Sequence, residues 1–481
     1  MSANQAKQEE WQPLKIGRFS CQHVLVVLMG WLVIYGLGSI FVSNPFWTET
    51  SAGADINYAH TMYLHGLLIS LVGLVALAAC QVFLIRSKHV RHSILGAVTA
   101  AVILATIGGI FDTHVEASFW LWIQIFSFFA LDDILISLLI GFYLEWKNKS
   151  TSSRSLPFWS AMLGTVGLFL AAVMGHLAGW ILEFGDFPHL IGAYARLVGE
   201  KTGDLMGNLI GSHSHLMIVA LLSVLVAMSA WRFGYQALQG GPRLLARVGF
   251  WFVIVGTGVI TVVYLLAGFT WIQPPTWFQS GPGGINGIAS DDVISGVGIM
   301  LGGLLVLLGM ILNKKGVDAK PGWLKPALVA VGTSWISLVF MVVGGGFGIE
   351  LNTNIFGAGD PKAPLAAGDA VFTFLHQDYA FFLLPAVMIL LLIADVYLKK
   401  SHVKTIARGM SLGVFVALVG GFVHVFLDPM VAYGAGYFLV GIGIIVIVGT
   451  TLLLIGSLRK VADVEEKEVL LSVPEAQTSR A

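Results

Sequence analysis

In the stretch GNLIGSHSHLMIVALLSVLVAM, residues 207–228, two histidines one residue apart stand near the start of an otherwise apolar run. A polar side chain without a partner in hydrocarbon costs on the order of several kcal/mol, so ionisable groups in such runs are usually paired, liganding or functional. The same question attaches to His65 in MYLHGLLISLVGL, His176 in MGHLAGW, His376 in VFTFLHQDYAFFLLPAV and His424 in GGFVHVFLD. Imidazole is the usual axial ligand of haem iron and suits copper and other transition metals. Residues at i and i+2 lie about 200° apart on a helix, so His213 and His215 should serve different partners. One is expected to point into a bundle as a ligand and the other to bond a neighbouring helix, with the assignment left open.

The elements that carry these residues are set by composition. The 481 residues are 56% hydrophobic and 11% charged, with 57 glycines, outside the balance of a soluble domain. Twelve runs are long enough to cross a bilayer: about 22–42, 59–84, 93–112, 117–144, 157–183, 206–231, 245–272, 292–313, 326–350, 371–398, 407–427 and 434–458. In lipid such runs must be helices, which satisfy their own backbone. The expectation is an all-α polytopic membrane protein: a short segment 1–21, a twelve-helix membrane domain 22–458 and a tail 459–481.

Charge orients it. Lys and Arg are retained on the cytoplasmic side, and 24 of the 27 fall on one side of this topology. Only Arg196, Lys201 and Lys362 fall on the other. Both termini are therefore expected in the cytoplasm, and the pattern suits a prokaryotic inner membrane. No secretory signal peptide is visible, so the first span reads as a retained anchor. Cys21 and Cys80 both fall near cytoplasmic helix ends, so neither a disulfide nor a Cys-rich metal site is expected. A net charge of +0 points away from nucleic acid. The outer connections 184–205 and 351–370 are long enough to form a cap.

With helix directions fixed, position converts to depth at about 1.5 Å per residue. His65, His176, His213, His215, His376 and His424 then fall roughly 5–14 Å below the outer helix ends, on five different spans. A buried cofactor plane would explain that shared depth. Other polar groups lie within spans. Asp378 follows His376 by two residues and could orient an imidazole or relay protons. His176, Trp180 and Glu183 share one face of the fifth span. Asp132 and Asp133 lie roughly 23 Å from the outer end, nearer the cytoplasm, as candidates for a proton uptake route. Trp and Tyr near span ends, such as Trp47 and Trp146, read as interfacial anchors, and glycine clusters as points of close helix packing.

This ensemble resembles subunit I of the haem-copper oxidase superfamily, which includes cytochrome oxidases and nitric oxide reductases. The segment LHGLLIS looks like the family's second-span segment, which implies His65 as a low-spin haem ligand. FLHQDYAFF matches one member of the family's tenth-span His-x-His pair, with His376, while Asp378 stands where the second would be. The sixth span of the family gives a copper ligand, a role for His213 or His215. The seventh span, which carries an adjacent histidine pair in the family, has none here. The resemblance thus implies a divergent member with one haem b on His65 and His376. A second haem or copper centre would use His213 or His215 with His176 or His424.

The function expected from this is a respiratory membrane redox protein. It would pass electrons between quinol or a cytochrome c-type donor and a companion subunit, or act on a small gas such as nitric oxide or oxygen. The competing classes are a proton-coupled secondary transporter and a structural subunit without metals.

Overall fold

The structure is a computed structural model of the whole chain. It describes residues 15–16, 19–20, 24–30, 53–114, 118–150, 152–184, 189–199, 201–270, 296–313, 328–329, 331–336, 384–398, 400–423 and 435–471. A two-stranded antiparallel ribbon, β1 (Lys15–Ile16) and β2 (Phe19–Ser20), is followed by a short helical segment at 24–30 and then by helices alone. These are α1 (Gly53–Val82), α2 (Lys88–His114), α3 (Ser118–Lys147), α4 (Leu156–Phe184), α5 (Leu190–Val198), α6 (Thr202–Arg232), α7 (Gly240–Gly268), α8 (Gly302–Leu312), α9 (Leu384–Tyr397), α10 (Lys400–Phe422) and α11 (Ala435–Leu471).

The all-helical class is borne out. Among the described residues eight helices are long and apolar enough to cross a membrane, and two shorter apolar segments run over Gly298–Leu312 and Leu384–Tyr397. The rest of the twelve expected spans, chiefly 31–42, 337–350 and 371–383, lies outside the described residues.

One helix is apolar on every side, and that decides its place. Residues 66–80 of α1 are buried without interruption, as expected of a helix hydrophobic all round. It touches α2, α3, α6 and α9. Around it the chain packs as α2 with α3, α4 with α6, α7 with α8 and α10 with α11. The α4–α6 seam is closed by small residues. A Cβ at Gly164 would lie 2.7 Å from the Ala220 carbonyl oxygen, and one at Gly167 would lie 2.9 Å from the Ala220 Cβ. Ser160 and Ser223 share a hydroxyl hydrogen bond of 3.1 Å across the same seam. Without a hydrophobic force between helices in lipid, such close approach and interhelical bonding hold the pair.

The connection between α4 and α6 folds as α5. It begins after His189 and ends at Gly199, both with left-handed backbone, φ 68° and 79°. The Tyr194 hydroxyl donates to the Phe269 carbonyl at 2.7 Å, tying α5 to the end of α7. The cap expected in this connection is thus a short helix anchored by one tyrosine.

The opposite end of the bundle is rich in Lys and Arg, and it is locked by carboxylates. Glu145, almost wholly buried, accepts the backbone N–H of Arg86 at 2.8 Å. Arg232 at the end of α6 donates through Nε to the Asp395 carboxylate of α9, and through Nη2 to its carbonyl at 3.0 Å.

Candidate functional site

Histidines from three helices meet away from the basic end of the bundle. His213 of α6 faces His65 of α1 with ring centroids 6.4 Å apart and planes within 8° of parallel. Its Nδ1 is 2.7 Å from the Ala171 carbonyl of α4. A carbonyl can only accept, so Nδ1 carries the proton and Nε2 keeps its lone pair. This is the arrangement in which a backbone carbonyl fixes the tautomer of a ligand imidazole.

The fit of that ring depends on a glycine. A Cβ at Gly175 would lie 2.6 Å from both Nδ1 and Cε1 of His213. Bare backbone at 175 is therefore what lets the imidazole lie against α4 and reach Ala171. Next in sequence, His176 turns to α3, where its Nδ1 is 3.1 Å from Oδ2 of Asp132. Phe128 lies between the two halves of the cluster, 5.5 Å from the His65 ring and 5.6 Å from that of His176.

The Asp132–His176 contact changes the depth assigned from sequence, which put the aspartate well below the histidines. Helices α3 and α4 are neighbours of opposite direction, and every helical Cβ leans toward its own N-terminus. The Asp132 side chain therefore leans away from the basic end and that of His176 leans toward it, so the two lean toward each other. Asp132 belongs to the histidine cluster. Its other oxygen, Oδ1, is buried with no hydrogen-bond partner.

Asp133 faces the other way. It is exposed at the perimeter, where its Oδ1 accepts the Ser137 hydroxyl at 3.2 Å. The two adjacent carboxyls, read from sequence as one route, thus serve different surroundings.

His213 and His215 have separate partners, as their spacing requires. The Nδ1 of His215 donates to the Gly211 carbonyl of its own helix at 2.8 Å, and its ring stacks on Tyr264 of α7 at 5.7 Å. Of the other candidates, His376, Asp378 and His424 lie outside the described residues, as does the Glu183 side chain. Among the described residues the rings of His213 and Phe128 lie beside His65; the His376 that the resemblance implies as its partner lies outside them.

Sequence reading passed over Gly175, Phe128 and Gln124. Gly175 is signalled only by its place directly before His176. Gln124 is a lone amide in the apolar WLWIQIFSFF; it is almost wholly buried, and neither its amide nitrogen nor its oxygen has a hydrogen-bond partner. Among the described residues no group of three or more His, Cys, Asp or Glu converges on one point. No family model, curated protein or solved structure matches the chain.

Proposed function

We propose that this chain is a membrane redox protein in which His65 and His213 would hold one haem iron or a single transition-metal ion. The observation that carries the reading is the 6.4 Å spacing of two near-parallel imidazoles on different helices. The donor set fits such a group: two neutral nitrogens, one already oriented by a backbone carbonyl. Bound there, the metal would supply one-electron chemistry.

The remaining residues have protein-side roles in this reading. Asp132 holds the His176 ring by its Nδ1. Phe128 and the surrounding apolar helices keep water from the imidazoles. In the wider proposal the chain has twelve spans with both termini cytoplasmic in a prokaryotic inner membrane. It passes electrons between quinol or a cytochrome and a companion subunit, or acts on a small gas such as nitric oxide. Any second centre would use His215, His376 or His424.

The test is a reduced-minus-oxidised optical spectrum of the purified protein, with a pyridine haemochrome assay and metal analysis. A sharp low-spin band, absent from both His65→Ala and His213→Ala and retained in His92→Ala, is the expected result. A band lost in His65→Ala but kept in His213→Ala would reassign the second ligand to His376. A colourless, metal-free preparation from haem-replete cells would overturn the redox reading. It would favour the second one, a proton-coupled transporter, for which the membrane-embedded Asp132–His176 pair is the specific support.

A further inference from the structure

The outward face of α3 carries Phe126, Phe129, Asp133, Ile136, Ile140 and Tyr143, all exposed. Their separations are three, four, three, four and three residues. That alternation is the narrow seam by which one helix packs along another. The outward face of α7 offers a comparison: Val248, Trp251, Val255, Val259 and Val262 are exposed and apolar throughout. Only the α3 face interrupts its apolar stripe with a carboxyl group.

The position of that group matters more than its presence. Asp133 is fifteen residues from Ser118 and fourteen from Lys147, the midpoint of a 30-residue helix. It therefore sits near the centre of the hydrocarbon layer, where carboxylates are rare and are paired or turned inward. Among the described residues the only hydrogen bond to it comes from Ser137, whose hydroxyl is also 2.9 Å from that of Ser93. One hydroxyl contact does not satisfy a carboxyl group facing lipid.

We propose that this face of α3 docks a transmembrane helix of a partner chain that carries a basic side chain at mid-depth, paired with Asp133. Charge complementarity selects that occupant. A second copy packed in parallel about a two-fold axis would bring one Asp133 against the other, opposing like charges at the least screened depth. A basic partner supplies the missing cation, and the flanking aromatic and branched residues supply the knobs for close packing. This inference is independent of any metal at the histidine cluster.

The full-length protein, labelled at a cysteine introduced in place of exposed Lys88 at its basic end and reconstituted in nanodiscs, is mixed with synthetic Leu/Ala transmembrane helices. Fluorescence transfer reads association. A helix with one central Lys should bind about tenfold more tightly than one with a central Leu or with the Lys moved two turns away. Asp133→Leu should remove the preference, and Asp133→Glu should keep it. Both variants should elute and melt as the parent does, because the position is on the perimeter. Equal binding of all helices, or a preference that survives Asp133→Leu, overturns the proposal. Self-association of labelled copies that Asp133→Leu abolishes, without any preference for the Lys helix, assigns the face to a second copy and equally overturns it.

Discussion

Arg232→Ala is expected to lower the stability of the bundle by about 2–3 kcal/mol, less than the loss of one partner from a fully buried ion pair because water screens the arginine. The Asp395 side chain is 1% exposed while that of Arg232 is 38% exposed, so the variant removes the wetter partner and strands the drier one. The stranded group has little recourse. Asp395 Oδ1 already has no hydrogen-bond partner, and the lost guanidinium also bridges the Asp395 carbonyl. A thermal melt in detergent should show the loss, and Asp395→Ala should cost less because the cation left behind can reach water. The double variant Arg232→Met/Asp395→Leu should recover most of the stability, since two apolar side chains of similar volume leave no buried charge. Losses that simply add across the two sites would show that the pair is not coupled.

Gly175→Ala should have a comparably large effect on the histidine cluster and a smaller one on the fold. Its Cβ would collide with ring atoms of His213 at 2.6 Å. The ring cannot swing aside without giving up the Ala171 carbonyl. Helices α4 and α6 would have to part, at a cost of about 1–3 kcal/mol for overpacking. Gly179, one turn along α4, has nothing within 4 Å of its would-be Cβ and is the control. Gly179→Ala should leave the optical band unchanged and stabilise α4 slightly, by about 0.5–1 kcal/mol, through helix propensity. Gly175→Ala should lose or shift the band and lower the melting temperature. If the two alanine variants behave alike, the close approach at 175 does not position His213.

These predictions separate what was readable in the chain from what was not. Helices α1 to α4, α6 and α7 were legible because length and hydropathy report them directly, and their bounds differ from the apolar runs by a few residues. The runs under-reach at the basic end: α7 starts at Gly240, not near 245, because an amphipathic first turn continues the helix beyond the apolar stretch. The π-helical turn at Gly296–Leu301 was not legible, since hydropathy carries no information about an i→i+5 bond pattern.

The site was legible in composition and half legible in arrangement. Spacing alone required separate partners for His213 and His215. Shared depth brought His65, His176 and His213 into one slab. Depth counted along a single helix left out Asp132, because it ignores the lean of side chains and the stagger of neighbours. Nothing in a glycine's own identity says which side chain will rest on it, so Gly175 had to be seen in three dimensions.

Under the proposed redox reading, the α4–α6 seam bears on how fast charge would move through this protein. Ser160 is tied to Ser223, Gly164 and Gly167 leave no slack against Ala220, and His213 is held by Ala171 above Gly175. Dipoles fixed in this way need not turn when an electron or proton arrives, which is the condition for a small reorganisation energy. The seam would then act less as a hinge than as a frozen solvent, oriented at folding and not at each turnover.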